Sequence, residues 1–218
     1  QGVVYRARQV GTNRTVAVKR MAAGGLTGER ARRRFEREVE IVSGLRHPGI
    51  VTVYGIEDVD GLPSLAMEWV EGKPITAWCH DDLADGVLAP LLDRFLEVCD
   101  AVEHAHRNGV LHRDLKPSNI LVDESATVRV LDFGIAKSIG GESDRGSDRL
   151  TGTLDFLGTP AYASPEQLDG NLDALDTRSD VYSLGVVLYE MLTGALPFPT
   201  DGGLRAMFDA RQRELAPA

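Results

Sequence analysis

Cysteine is nearly missing from this chain: Cys79 and Cys99 are the two in 218 residues. They have no metal-ligand spacing, which excludes a zinc cluster and a disulfide-framed fold. A single disulfide is a formal option, but both lie in apolar, helix-patterned stretches and read as reduced core thiols. Long hydrophobic runs are missing too. No stretch reaches the roughly 18 apolar residues of a membrane-spanning helix, and no signal-peptide pattern opens the chain. Basic charge is in deficit, with 24 Lys and Arg against 33 Asp and Glu and a formal net charge of −9. General nucleic-acid binding and electrostatic docking on an anionic membrane therefore have no support. Internal repeats are absent. What remains is a 43% hydrophobic chain, ordinary for a globular protein and long enough for one large domain or two small lobes.

The densest chemistry lies in Val110 to Asn119, V-L-H-R-D-L-K-P-S-N. Pro117 argues against a helix interior, and the apolar residues Val110, Leu111, Ile120, Leu121 and Val122 flank the polar cluster. A polar loop held between two short strands suits a site that must be kept still. Asp132-Phe133-Gly134 follows in the sequence.

Upstream, Val3 to Arg8 and Thr15 to Arg20 read as a hairpin turned at Gly11-Thr12-Asn13. Alternation puts Val16 and Val18 on one face and Ala17 and Lys19 on the other; taken alone, a strand lysine is usually a solvated edge residue. Glu29 to Leu45 reads as a helix with Phe35, Val39, Val42 and Leu45 as its apolar stripe. Glu38 borders that stripe and could reach a strand lysine. The arginines between Arg30 and Arg37 read as a solvated face or, more sharply, a phosphate-sensing patch. Ile50 to Ile56 and Leu62 to Trp69 are further strands, and Gly72-Lys73-Pro74 breaks the pattern. Leu88 to Arg107 is a long helix stopped by Asn108-Gly109, with His104 as an ordinary helix-end residue. Two short strands around the turn at Asp123-Glu124-Ser125 follow. Ser138 to Arg149 is small, polar and charged, so a mobile loop is expected there. Asp180 to Thr193 reads as a buried helix closed by Gly194.

Taken in order, these motifs resemble those of the eukaryotic-type (Hanks-type) Ser/Thr protein kinases, particularly their bacterial members, and the resemblance covers essentially the whole chain. It implies a two-lobed α+β fold: a small antiparallel-sheet lobe with one helix over 1–70, and a larger, mainly helical, incomplete lobe over 71–218. The activity implied is transfer of the γ-phosphoryl of ATP to protein Ser/Thr hydroxyls. Val16-Ala17-Val18-Lys19 looks like the phosphate-anchoring strand and Glu38 like the helix partner of Lys19. His112-Arg113-Asp114 with Lys116 and Asn119 looks like the catalytic loop. There Asp114 would accept the hydroxyl proton, Lys116 would neutralise phosphoryl charge, and Asn119 and Asp132 would hold Mg²⁺. Val4, Ala17 and Leu121 would sandwich the adenine, Met67 would gate the pocket, and Glu68 to Val70 would form the hinge. His112, with Val42, Val53 and Phe133, would form a column linking the lobes; this makes His112 structural rather than catalytic. Gly134, Glu166 in Ser164-Pro165-Glu166, and Asp180 also take structural roles by resemblance.

The departures lie at the ends. Of the glycine-rich phosphate loop only Gly2 and Val4 stand in the sequence, and the arginine that pairs with Glu166 in the family is not present. Both ends read as cut, so Glu166 is expected to lack its partner, and the piece is expected to be less stable and less active than its parent. Thr159 resembles the threonine on the substrate side of the site. Thr151 and Thr153 match activating phosphothreonines, and Arg113 would meet such a phosphate. The cofactors implied are ATP and Mg²⁺, with Mn²⁺ as a substitute. The partners implied are protein substrates and a homodimer for trans-autophosphorylation, without nucleic acid or membrane contact from this segment. The expected location is cytoplasmic, with any membrane anchor elsewhere in the parent. The competing readings are a catalytically impaired fragment or pseudokinase-type binding module, and a small-molecule kinase of related fold.

Overall fold

The computed structural model describes residues 3–20, 28–83, 88–134, 160–170, 174–200 and 203–212. Gly2, Thr151, Thr153, Thr159 and the Ser138 to Arg149 stretch lie outside them.

The first sheet has four antiparallel strands, β1 (Val4–Arg8), β2 (Thr15–Arg20), β3 (Val53–Val59) and β4 (Leu62–Glu68), in the order β1-β2-β4-β3. Asp60 and Gly61, both at positive φ (56° and 77°), turn the β3–β4 hairpin, the conformation a tight two-residue turn requires. Strand β2 is interior, so Lys19 is not the edge residue that strand lysines usually are. Both faces of β2 are covered: Val16, Ala17 and Val18 are all buried. The register pairs Val4 with Lys19 and Ala17 with Met67. Directly paired residues share a face, so Val4, Ala17, Lys19 and Met67 line one side of the sheet.

Helix α1 (Glu29–Ser43) buries Phe35, Val39 and Val42, and a fully buried Phe contributes on the order of 1.5–3 kcal/mol. On its exposed side Arg32 pairs with Glu36 and Arg33 with Glu29, in line with a solvated face. The chain after α1 is fastened to the larger lobe. His47 Nδ1 accepts the Gly49 N–H, so Nε2 carries the proton and donates to Asp100 Oδ2 at 3.0 Å. Val51 N–H donates to Val130 O at 3.0 Å, and Val130 N–H to Gly49 O at 2.8 Å.

The pattern break expected at Gly72-Lys73-Pro74 is instead a strand, β5 (Gly72–Pro74), joined to β6 (Ile120–Asp123) and β7 (Val128–Val130) in a second antiparallel sheet. Glycine makes this approach possible, because a β-carbon on Gly72 would lie 2.6 Å from Val122 O. Against this sheet pack α2 (Ile75–Leu83) and α3 (Ala89–Arg107); α5 (Thr177–Thr193) packs on those two helices, and the one-turn α4 (Pro165–Leu168) packs on α6 (Gly203–Gln212). Helix α5 starts on an Asp176 cap and ends at Gly194 with φ 70°. One hydrophobic cluster runs from Ala17, Phe35, Val53 and Met67 through Phe133 and Leu115 to Val130 and Val187. The architecture is the two-lobed α+β arrangement that the resemblance implies.

Candidate active site

The loop before β6 is held from beneath by one buried carboxylate. Asp180, on the first turn of α5 and 1% exposed, accepts the backbone N–H of His112 on Oδ2 and that of Arg113 on Oδ1, each at 2.8 Å. His106 Nε2 lies 2.8 Å from the same Oδ2. Burial by itself would push the Asp180 carboxyl up, but the His106 bond, the nearby His112 and the two amides outweigh it and leave it below its ordinary value. These bonds stabilise an Arg113 backbone at φ 63°, a conformation that costs a residue with a β-carbon about 1–2 kcal/mol.

His112 is fully buried, with Phe133 against its ring at 4.8 Å between centroids. Its Nε2 meets Leu131 O at 2.8 Å, and its Nδ1 meets the Asp114 N–H at 3.2 Å. A carbonyl needs a donor and an amide N–H an acceptor, so the ring is the neutral Nε2–H tautomer. Burial lowers its pKa, against the pull of Asp180 and other acids. Both nitrogens are occupied, so His112 is built to hold the loop and has no lone pair to offer a substrate proton.

Asp114 follows the strained Arg113 position. Lys116 Nζ lies 2.9 Å from its Oδ2. Asn119, at the end of a 3₁₀ turn (Pro117–Asn119), donates from Nδ2 to the Asp114 carbonyl at 2.8 Å and to its Oδ2 at 3.3 Å. Leu131 N–H donates to Asn119 O at 2.8 Å, which sets the Asp132 loop beside this one. Asp132 sits at φ 58°, and its Oδ2 meets Lys19 Nζ at 2.7 Å. Gly134 N–H donates to His112 O, and a β-carbon on Gly134 would come 2.8 Å from Leu111 O.

The expected Lys19–Glu38 ion pair is not what the lysine makes: among the described residues its ion partner is Asp132. Glu38 lines a cavity of about 160 Å³ with Ile41, Val42, Leu111, Arg113 and Phe133. Ala17 and Met67 are buried, Leu121 and Val70 are half-buried, and Val4 is 49% exposed on β1. The Glu68 side chain lies near Arg129 at 3.7 Å and accepts the Thr52 N–H. Glu166, expected to lack a partner, accepts a hydrogen bond from the Ser179 hydroxyl. Burial raises the Glu166 pKa, but Ser179 and two further hydrogen bonds bring it below the usual carboxylate value.

Three contributors are missing from the sequence reading: His106, Ser179 and Gln167. Gln167 had a signal, since Ser164 and Gln167 have capping-box spacing and form that box here. His106 and Ser179 had none, because their partners are remote in sequence.

As a donor set, Asp132 and Asn119 offer hard oxygens. Asn119 spends Nδ2 on Asp114, so Oδ1 is the atom that would meet a cation. No cluster of three or more His, Cys or carboxylate groups exists among the described residues. Two protein oxygens, with no soft ligand, fit Mg²⁺, which keeps its waters and shares substrate phosphates. Among the described residues no helix is long and apolar enough to cross a membrane.

Comparison with known proteins agrees with this geometry. The family model described as protein kinase domain matches residues 1–216. Serine/threonine-protein kinase PknB of Mycobacterium leprae (strain TN) is 40% identical over 204 residues, covering 91% of this chain and 31% of the relative. PknB of Mycolicibacterium smegmatis is 37% identical over 220 residues, covering 98% of this chain and 34% of its own length. Serine/threonine-protein kinase PrkC of Bacillus subtilis (strain 168) is 36% identical over 213 residues, covering 97% and 31%. The chain thus spans about a third of the length of these curated relatives. A carboxylate-braced loop facing a lysine–aspartate pair, together with a family match over nearly every residue, places this chain in the protein kinase domain family.

Proposed function

We propose that the chain transfers the γ-phosphoryl group of ATP to serine or threonine hydroxyls of proteins. The observation that carries this reading is the 2.7 Å meeting of Lys19 with Asp132, beside a loop that presents Asp114, Lys116 and Asn119. Residues 1–70 would form the nucleotide-covering lobe and 71–218 the substrate-side lobe. Val4, Ala17, Met67, Leu121 and the Glu68 to Val70 hinge would receive the adenine, and Gly2 would take the phosphate-side role that the resemblance implies. Lys19 binds the α and β phosphates once it leaves Asp132, with Glu38 to hold it in its swung-in position. Asp132 and Asn119 would hold Mg²⁺, with Mn²⁺ as a substitute; when bound, the ion neutralises phosphate charge and aligns the leaving group. Asp114 orients the hydroxyl and accepts its proton, while Lys116 balances charge on the transferring group. Thr159 would take the substrate-side role that the resemblance implies.

Activation by trans-autophosphorylation at Thr151 and Thr153, within a homodimer, deepens this reading. A phosphothreonine there pairs with Arg113, next to Asp114. Dependence on ATP favours action in the cytoplasm. Radiolabelled transfer to a generic protein substrate tests the chemistry. Asp114→Asn and Lys19→Met should each lower it by about 10²-fold or more, and retained transfer in either variant overturns that residue's role. Mass spectrometry after incubation with Mg-ATP should find phosphate on Thr151 and Thr153; an active enzyme with both unmodified overturns the activation step.

A further inference from the structure

Gln167 uses both ends of its side-chain amide. Its Oε1 accepts the Ser164 backbone N–H at 2.9 Å, and the Gln167 backbone N–H donates to Ser164 Oγ at 3.4 Å. Its Nε2 donates to the Arg113 carbonyl at 2.8 Å. The amide can sit only this way round, because the carbonyl needs a donor and the N–H an acceptor. The capping half of the arrangement is generic: at this position of a capping box, Glu and Gln serve alike. The other half is not, because a carboxylate has no donor for Arg113.

The Arg113 carbonyl belongs to the peptide that leads into Asp114. Arg113 has a disfavoured left-handed backbone, and its N–H is held from the opposite side by Asp180. The peptide units on both sides of Arg113 are therefore clamped, one by α5 and one by the start of α4. Gln167 is in turn continuous with a firmly anchored segment. Arg211 Nη2 donates to Pro160 O at 2.9 Å and Ala161 O at 2.7 Å. Ser183 Oγ donates to Tyr162 O, and Tyr162 OH to Glu190, at 2.9 and 2.7 Å.

We propose that Gln167 is a positioning residue for phosphoryl transfer: its amide ties the substrate-side segment to the Arg113–Asp114 peptide and fixes the direction of the Asp114 carboxylate. The inference rests on Asp114 as proton acceptor. Gln167 touches no reacting atom and acts through that peptide.

The test is steady-state kinetics on the full-length protein with a peptide substrate. Gln167→Glu keeps the acceptor for Ser164 and loses the donor to Arg113; Gln167→Met loses both without adding charge. Each should lower kcat about tenfold, the scale of one ~1.4 kcal/mol hydrogen bond. KM for Mg-ATP and for peptide should stay within about twofold. The thermal midpoint should fall more in Gln167→Met than in Gln167→Glu, so the kinetic loss will not track stability. Should Gln167→Glu fail to fold, Gln167→Met carries the test. Native kcat in either folded variant, a loss confined to KM, or failure of both to fold overturns the proposal. Asp114→Asn in the same assay separates the two readings: if it retains transfer, the base assignment itself falls; if it is inactive while Gln167→Glu turns over normally, only the role of Gln167 falls.

Discussion

Replacing Asp180 by Asn probes the brace under the Val110–Asn119 loop with almost no change in volume. The carboxylate accepts from His106 and the His112 amide on Oδ2, and from the Arg113 amide on Oδ1. An Asn side chain has one oxygen. Placed at Oδ2 it keeps two of the three bonds, now neutral, and turns an NH₂ toward the Arg113 N–H. Hydrogen bonds to a charged group are worth about 1.5–3 kcal/mol against about 1 for neutral ones. One such bond lost and two weakened give a destabilisation of at least about 3 kcal/mol, a large share of a typical domain's total of about 5–15. Arg113 also loses the contact that offsets its left-handed backbone, so kcat should fall alongside stability. Urea unfolding of the native protein and Asp180→Asn at neutral pH measures the first, and steady-state kinetics the second. The sign with pH follows from the depressed carboxyl. Its contribution is full above the ordinary Asp range near ~3.9 and is lost as pH falls through its lower folded value. The gap between the two proteins should therefore be full at neutral pH and close in strong acid. A loss of under about 1 kcal/mol at neutral pH, less than one hydrogen bond to a charge, would refute the brace.

Three further outcomes can be checked. Gly72→Ala should destabilise by about 1–3 kcal/mol, read by thermal or urea unfolding, because its β-carbon would press on Val122 O and part β5 from β6. Gly134→Ala should cost about the same and, on the proposed function, also lower kcat, since it pushes Leu111, at the start of the Val110–Asn119 loop, away from the Asp132 loop. His112 binds its proton less readily folded than unfolded, so stability should fall as pH drops through its unfolded value of about 6.5 toward its lower folded value. A shallower decline of the thermal midpoint in His112→Asn between neutral and mildly acidic pH would check this.

The two loops are legible in the sequence because their chemistry is local: V-L-H-R-D-L-K-P-S-N and D-F-G each carry their polar groups within a few residues. The helical stripe of Phe35, Val39 and Val42 is legible for the same reason, since periodicity needs no remote partner. Lys19 shows where this ends. Its pattern is that of a strand residue; only the strand order makes it interior, and only the meeting of the first sheet with the loop after β7 brings Asp132 to it. Gly72 was misread because glycine weakens a strand in general, whereas here its missing side chain is what lets β5 meet β6. The Ser164–Gln167 box is written in the sequence, but its tie to Arg113 is not, because no local rule distinguishes Gln from Glu there.

The fastening of residues 47–51 to α3 and β7 makes α1 a lever pivoted at its C-terminal end. At a rise of about 1.5 Å per residue, Glu38 stands roughly 7–8 Å from the pivot and Glu29 roughly 21 Å. A tilt of about 10° would then carry Glu38 just over ~1 Å but Glu29 by more than ~3 Å. A contact that gripped the outer end of α1 would therefore move that end about three times as far as the glutamate.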